Sequence, residues 1–295
     1  MAGNCTFVYG LEKNAKLIPN AVAISQGNRY LTYKDLDQRA NQLGKALLRL
    51  GVGRGERVSI ALTNSFEFLE STFGAWKLAA ITIPLNYRFM DEELIHVLDN
   101  SDSVGVILDA EYLEMFQRIW PRLPNIRFLL VVGDCEADAK NNIYHYDTLL
   151  RQFSATKPKL AWKEQGNEDT GYNIYTGGTT GMPKGISYTE KGFTKTVVEA
   201  LGSNAPDLVQ RISEAPDHLL RLLPGGRLIS SRVGRASLRF PLWGKIAAKG
   251  AKYAPASYNR FLAKMLAGDV RVLLVSPLMH AWAWAISANL IKLGG

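Results

Sequence analysis

Apolar positions in the first half of the chain follow two alternating patterns, which predict strands separated by helices. After Thr32, apolar residues recur at steps of four and three, so the pattern predicts an amphipathic helix that Thr32 caps and Gly51 ends. Asn64 and Glu67, three residues apart, predict a capping box at the start of a second helix that runs to Trp76.

Short, continuously apolar runs separate the helical segments and predict buried strands. These runs lie at 57–62, 81–85, 104–109 and 126–132. Further helical patterns lie at 91–100 and 111–120. Apolar strands that alternate with helices are typical of a mostly parallel sheet covered on both faces, so the fold class is predicted to be α/β.

The pattern weakens between residues 133 and 165, where polar and charged residues surround one short predicted helix at 147–153. We therefore expect a subdomain boundary near residue 168, with a first α/β subdomain at 1–168 and the start of a second at 169–295. In the second part, strands are predicted at 172–174, 185–188 and 270–275, and a helix at about 190–201.

Residues 272–291 carry no formal charge over a length that could span a membrane. Pro277, His280 and other polar residues interrupt this stretch and favour a buried strand followed by a buried helix. The N-terminal segment has no basic region followed by a long apolar run, so no secretory signal is predicted. Two distant cysteines, Cys5 and Cys135, match neither a disulfide framework nor a paired metal motif, which favours a cytoplasmic location.

The positive charge is concentrated in one segment of a chain whose composition is otherwise that of an ordinary globular protein. Between residues 219 and 268 there are ten basic residues and no acidic one, whereas the rest of the chain carries 25 basic and 27 acidic residues. Such a block can contact phosphates, anionic lipid or nucleic acid, but a solvated basic insertion at about 203–268 is favoured.

The glycine-rich segment "YTGGTTGMPKG" (175–185) has residue types suited to binding a triphosphate. Its glycines let backbone N–H groups approach a phosphate closely, and Lys184 adds a positive charge. Hydroxyl donors come from three threonines, Thr176, Thr179 and Thr180. The segment is not a Walker loop, because Pro183 precedes Lys184 and Gly185 follows it in place of Ser or Thr. On composition alone, a flexible glycine–threonine linker is as good an explanation of this segment as a phosphate-binding loop.

The full string resembles the phosphate-binding signature of the adenylate-forming enzymes, usually written Tyr-Thr-Ser-Gly-Thr-Thr-Gly-x-Pro-Lys-Gly. This group includes acyl-CoA synthetases, firefly-luciferase-like ligases and peptide-synthetase adenylation domains. One position departs from the signature, because Gly177 stands where Ser is usual, which removes one hydroxyl contact. Residues 31–86 also look like the family's N-terminal region, and "SPLMHAWAW" (276–284) looks like its acyl-pocket motif. The three landmarks stand in the family's order.

The resemblance implies stacked αβαβα subdomains, as in the N-terminal domain of these enzymes, here incomplete at the C-terminus. It also implies that ATP and a carboxylic acid give an acyl-adenylate and pyrophosphate, after which the acyl group passes to coenzyme A. Mg²⁺ would offset the triphosphate charge. The residues expected to hold the β and γ phosphates are Thr176, Gly177, Gly178, Thr179, Thr180, Gly181 and Lys184.

The pocket motif bears on the acid substrate. By resemblance, His280 would lie beside the acyl carboxylate, although a lone histidine in an apolar run is as well explained as a hydrogen-bonded core residue. Amino-acid adenylation domains usually carry an aspartate in this motif, and residues 276–295 contain none. A fatty or aryl acid is therefore favoured.

Family members are roughly twice as long as this chain, and the resemblance implies elements beyond Gly295. The adenine, ribose and Mg²⁺ motifs, the hinge and the C-terminal lid domain with its lysine would all follow it. A missing C-terminal half or a partner chain would then complete the site. The main alternative is a remnant that binds acyl or phosphate ligands, or a partner chain, without turnover.

A third hypothesis makes the basic segment the functional element. Aromatic residues are sparse there and no nucleic-acid motif accompanies them, so nucleic acid is not an expected partner. Peripheral contact of the basic segment with an anionic membrane stays an open alternative, which only the charge asymmetry supports.

Overall fold

The computed structural model describes residues 7–161, 171–178 and 181–189, together with the single residues 192, 231, 278, 279, 287 and 291. The helices are α1 (Phe7–Leu17), α2 (Tyr33–Arg49), α3 (Phe66–Trp76), α4 (Asp91–Asn100), α5 (Leu113–Ile119) and α6 (Tyr146–Leu150). The strands are β1 (Val22–Gln26), β2 (Arg29–Thr32), β3 (Arg57–Ala61), β4 (Ile81–Pro84), β5 (Ser103–Asp109), β6 (Phe128–Val132), β7 (Ile143–His145), β8 (Gly171–Gly178) and β9 (Gly181–Thr189).

Seven of these strands form one sheet in the order β7-β6-β5-β3-β4-β8-β9. Neighbouring strands are parallel except for β8 and β9, which pair antiparallel. The strands β1 and β2 make a separate antiparallel pair. The helices α3, α4 and α5 connect β3 to β4, β4 to β5 and β5 to β6, and a 3₁₀ turn at 139–141 lies between the parallel strands β6 and β7. The α/β prediction is confirmed.

Helices cover both faces of the sheet, and alternate residues of each strand belong to different cores. On β5, Ile107 packs in the core that includes residues of α1, α2, α3 and α6. Its neighbours Val106 and Leu108 pack in the second core, with residues of α4 and α5. Burial on both faces explains why the central strands are mostly apolar on both faces rather than alternating between apolar and polar residues.

The predicted start of α2 is confirmed. Thr32 Oγ1 accepts a hydrogen bond from Asp35 N at 3.1 Å, and Asp35 Oδ2 accepts one from Thr32 N at the same distance. The predicted start of α3 is wrong by one residue, because Ser65 is the cap and accepts from Phe68 N at 3.2 Å. The Asn64 side chain instead accepts a hydrogen bond from Leu278 N.

Other differences from the prediction have local causes. The helix expected at 111–120 is divided into a 3₁₀ turn at 110–112, α5, and a second 3₁₀ turn that contains Pro121, which cannot donate an N–H to a continuing helix. The helix expected at 147–153 ends at Leu150. The elements α1, β1, β2 and β7 were not predicted.

Several predictions concern residues outside the described part of the chain. These are the helix at 190–201, the strand at 270–275, the buried helix that follows it, and the basic insertion at about 203–268. Among the described residues, no helix is both long and apolar enough to cross a membrane. The boundary near residue 168 stays a prediction, and the strand that follows it, β8, adds to the sheet of the first part through β4.

Candidate functional site

The glycine-rich segment forms the end of a β-hairpin. In the β8–β9 pair, Thr176 lies directly opposite Lys184, and the register shifts between Thr176 and Gly178. Residues directly opposite each other in an antiparallel pair place their side chains on the same face. Thr176 and Lys184 are both exposed, so a hydroxyl and an ammonium group project together from one face of the hairpin.

The structure brings five of the predicted phosphate-binding residues together in this hairpin. They are Thr176, Gly177, Gly178, Gly181 and Lys184. The predicted residues Thr179, Thr180 and His280 lie outside the described residues. The expected strands at 172–174 and 185–188 are confirmed as parts of β8 and β9.

The hairpin projects beyond the carboxyl edge of the parallel sheet. The first residues of β8 pair with the first residues of β4, Gly171 with Ile81 and Tyr172 with Thr82. Because β8 has eight residues and β4 has four, the second half of β8 extends past the end of β4. The carboxyl edge is where open α/β sheets bind their ligands.

One face of the hairpin base packs on α3. Trp76 Nε1 donates a hydrogen bond to Gly171 O at 3.0 Å. The rings of Tyr172 and Tyr188 stack at 5.0 Å between centroids. At Gly171 the strands come so close that a Cβ atom would lie 2.2 Å from Tyr188 O, so this position requires glycine. The base of the hairpin is therefore held closely against the core.

The opposite face of the hairpin packs on α4. Tyr175 Oη donates a hydrogen bond to Asn100 Oδ1 at 2.8 Å, and His96 Nε2 lies 3.0 Å from Pro183 O. The Tyr175 ring covers Gly185, where a Cβ atom would lie 2.8 Å from Tyr175 Cζ. Burial, with a contribution from Asp102, raises the pKa of the Tyr175 hydroxyl, so it keeps its proton and donates at neutral pH.

Asn64 links the predicted acyl-pocket motif to the same edge of the sheet. It follows β3, and its Oδ1 accepts a hydrogen bond from Leu278 N at 2.6 Å, while its own carbonyl accepts from Gln26 Nε2 at 2.8 Å. Leu278 and Met279, two residues of the motif, are buried. Only β4 separates β3 from β8, so the axes of these two strands lie about 10 Å apart in the plane of the sheet.

A further carboxylate lies at the end of β5. Asp109 Oδ2 accepts hydrogen bonds from Thr63 N at 2.8 Å and Thr63 Oγ1 at 3.0 Å. Burial raises the pKa of Asp109, although the two bonds from Thr63 oppose the shift. Within the described residues, no group of three or more histidine, cysteine, aspartate or glutamate side chains comes together in a way that could hold a metal ion.

Sequence reasoning missed the contacts of His96 and Asn100 with the hairpin and of Asn64 with the predicted pocket motif. The first two belong to a predicted helix, but nothing local marks them as contacts of the glycine-rich segment. Asn64 was interpreted as a helix cap because its spacing from Glu67 fits a capping box. Only the packing of distant segments distinguishes these roles.

A mostly parallel α/β sheet with a threonine- and lysine-bearing hairpin at its carboxyl edge places the protein in the class of adenylate-forming enzyme N-terminal domains. The sequence model of the AMP-binding enzymes matches residues 11–222, and the chain belongs to this family. The N-terminal domain of FACL13 from Mycobacterium tuberculosis, a solved structure, has the same fold, with a TM-score of 0.62 over 98% of this chain and 55% of that one, at 21% identity.

Among curated proteins, the chain is similar to 3-oxocholest-4-en-26-oate–CoA ligase of Rhodococcus rhodochrous, with 34% identity over 60% of this chain and 32% of that protein. It is 29% identical to the medium-chain acyl-CoA ligase Mig of Mycobacterium avium, over 71% of this chain and 41% of that protein. Among solved structures, the anthranilate CoA ligase AuaEII in complex with anthranoyl-AMP is 28% identical, with a TM-score of 0.61 over 69% of this chain and 38% of that one. The chain thus spans about a third of the length of the Rhodococcus relative.

Proposed function

We propose that this chain supplies the phosphate-binding part of an ATP-dependent acid–CoA ligase. Such an enzyme activates a carboxylic acid as an acyl-adenylate, releases pyrophosphate and transfers the acyl group to coenzyme A. The observation that carries the proposal is the pairing of Thr176 with Lys184 on one exposed face of the hairpin, in a member of the AMP-binding family. Relatives named as CoA ligases support the reaction class.

The chemistry explains why an exposed lysine is needed at this place. Attack of a carboxylate on the α-phosphate of ATP brings two anions together, so the protein must provide positive potential and fixed geometry. Lys184 would contact the β and γ phosphates, with Thr176 and the backbone N–H groups around Gly177, Gly178 and Gly181. Each charge-assisted bond of this kind contributes about 1.5–3 kcal/mol.

The remaining assignments rest on the sequence motifs. Thr179 and Thr180 would complete the phosphate contacts, and His280 would lie beside the acyl carboxylate. A fatty or aryl acid is the proposed substrate, since residues 276–295 contain no aspartate for an amino group. Mg²⁺ is proposed as the counter-ion that accompanies ATP, and a cytoplasmic location is proposed from the sequence alone.

The proposal is tested by binding and by exchange. In calorimetry with Mg-ATP, Lys184→Ala should weaken binding roughly ten- to hundredfold, which is the loss of one charge-assisted bond. Lys140→Ala is the matched control, because Lys140 is an exposed lysine in the turn before β7 and its removal changes the net charge equally. ATP-dependent pyrophosphate exchange is then measured with a panel of fatty and aryl acids.

The possible outcomes separate the hypotheses. Equal ATP affinity for wild type and Lys184→Ala would contradict the assigned site. ATP binding without exchange for any acid would favour a non-catalytic, nucleotide-binding remnant, or a chain that needs further parts of the enzyme. Exchange that Lys184→Ala abolishes and Lys140→Ala preserves would support the ligase.

A further inference from the structure

The helix α4 contacts the hairpin with two side chains that lie one turn apart. His96 and Asn100 are separated by four positions and therefore project from the same face of α4. His96 Nε2 lies 3.0 Å from Pro183 O, and Asn100 Oδ1 accepts from Tyr175 Oη at 2.8 Å. The two residues that α4 contacts lie next to the exposed pair: Tyr175 immediately precedes Thr176, and Pro183 immediately precedes Lys184.

The direction of the His96 bond follows from its partner. A carbonyl oxygen only accepts, so Nε2 must carry a proton and donate, which both the Nε2–H tautomer and the imidazolium ion do. The Pro183 carbonyl belongs to the peptide bond whose nitrogen is that of Lys184. A peptide unit is planar, and Pro183 O and the Lys184 nitrogen belong to the same unit. A bond to this oxygen therefore restrains the orientation of the peptide that leads into Lys184.

The contact from His96 reaches the hairpin at a point where its own strand pairing is irregular. Pro183 has no N–H group and cannot donate to β8. The partner strand is irregular at the same level, since the register shifts between Thr176 and Gly178. The bond from His96 to Pro183 O therefore adds a contact from outside the hairpin at a point where the register is irregular and Pro183 supplies no N–H.

The geometry also excludes direct contact between His96 and a ligand held by Lys184. Side chains alternate between faces along a strand, so Pro183, which is buried, and Lys184, which is exposed, point to opposite faces of β9. His96 is on the Pro183 side, with α4. Any effect of His96 on phosphate binding must therefore pass through the hairpin backbone.

We propose that His96 is a positioning residue for Lys184: its donation to Pro183 O fixes the peptide from which Lys184 reaches the phosphates of ATP. This inference rests on the proposed function of the hairpin. Loss of the bond would leave Lys184 in place but allow its backbone more orientations, which lowers the affinity for ATP without removing the charge.

The test measures ATP affinity by calorimetry for two His96 variants, each in the wild-type and the Lys184→Ala backgrounds. His96→Phe keeps a ring but has no donor, and we expect roughly three- to tenfold weaker binding. His96→Gln keeps an N–H donor and should restore affinity to within about twofold of wild type. In the Lys184→Ala background, His96→Phe should have almost no further effect, because the group it positions is absent.

Hydrogen exchange and a control variant complete the design. His96→Phe should speed exchange of the backbone amides of β9 near Lys184, and His96→Gln should not. Asp99→Ala changes an exposed residue of the same helix and should bind ATP as wild type does. If His96→Phe does not fold, His96→Met replaces it, since methionine also lacks a donor and adapts to irregular sites.

Each outcome bears on the inference. Wild-type ATP affinity in His96→Phe would overturn it and leave the proposed function standing. An equal loss in both backgrounds would overturn it as well, because His96 would then act independently of Lys184. Absence of ATP binding by the wild-type chain would overturn the proposed function and, with it, this inference.

Discussion

Lys77 connects the first three helices through a buried ion cluster, and its removal gives a quantitative test of the fold. The Lys77 side chain is fully buried, and its Nζ lies 2.8 Å from Asp37 Oδ1 on α2 and 3.1 Å from Glu12 Oε1 on α1. Glu12 also pairs with Lys157, at 3.0 Å, but that lysine is 42% exposed. Lys77→Met keeps the apolar stem of the side chain and removes only the charge and the donors.

The expected cost follows from burial. Removing one partner of a buried ion pair destabilises a protein by about 3–5 kcal/mol, because the remaining charge is left without compensation. The two carboxylates here retain 17% and 19% exposure, so water can still reach them in part. We therefore expect Lys77→Met to lower the free energy of unfolding by about 3 kcal/mol at pH 7.

Urea unfolding, followed by circular dichroism, measures this change, and Lys157→Met is the matched control. Both substitutions remove a lysine that contacts Glu12, but the Lys157 pair is exposed, and exposed pairs contribute about 0–1 kcal/mol. An equal or larger loss for Lys157→Met would show that burial does not control the energetics of this cluster, and the reasoning would fail.

The pH dependence provides a second check on the same variant. Burial by itself would raise the pKa of Glu12, but Lys77 and Lys157 outweigh it and lower the pKa below its ordinary value of 4.5. A carboxyl with a lowered native pKa stabilises the fold above its unfolded-state pKa, and this stabilisation is lost as pH falls through the native pKa. The difference in free energy of unfolding between wild type and Lys77→Met should therefore be largest at pH 7 and should decrease below about pH 4.5.

Two further substitutions test the contacts that hold the hairpin and the pocket motif. Gly171→Ala would place a Cβ atom 2.2 Å from Tyr188 O, so we expect a loss of about 1–3 kcal/mol or more in thermal or urea unfolding; Gly53→Ala, where the Cβ would meet only an ordinary contact at 3.7 Å, should be tolerated. Asn64→Ala removes the acceptor of the Leu278 N–H and should cost about 1–3 kcal/mol, with faster hydrogen exchange at Leu278. Asn64→Asp keeps an acceptor oxygen, and similar exchange in both Asn64 variants would contradict this role.

The parts of the fold that the sequence predicts well are those that depend on local pattern. The central strands are buried on both faces, and the apolar runs at 57–62 and 104–109 show this directly. Thr32 caps α2 through Asp35, three residues away, so the whole motif is visible in the sequence. Residue type and spacing also selected the lysine and glycines of the hairpin as candidate phosphate-binding residues, and that role stays a prediction.

The parts that sequence analysis missed depend on contacts between distant segments. His96 and Pro183 are 87 positions apart, and Asn64 and Leu278 are 214 apart. At Asn64 a local signal was misleading, because Asn64 and Glu67 fit a capping box while Ser65 caps the helix. Tertiary packing decides whether a polar side chain caps the adjacent helix or bonds to the backbone of a distant segment. A single sequence does not show that packing.

The buried contact between α1 and Ile291 has a consequence for the order in which contacts can form during synthesis. Asn14 Nδ2 donates to Ile291 O at 2.9 Å across 277 positions of sequence. At ribosomal rates of 5–20 residues per second, roughly 15–55 s pass between the emergence of the two partners. During that interval Asn14 cannot donate to Ile291 O, so this buried bond between α1 and residue 291 forms only after the intervening 276 residues have been synthesised.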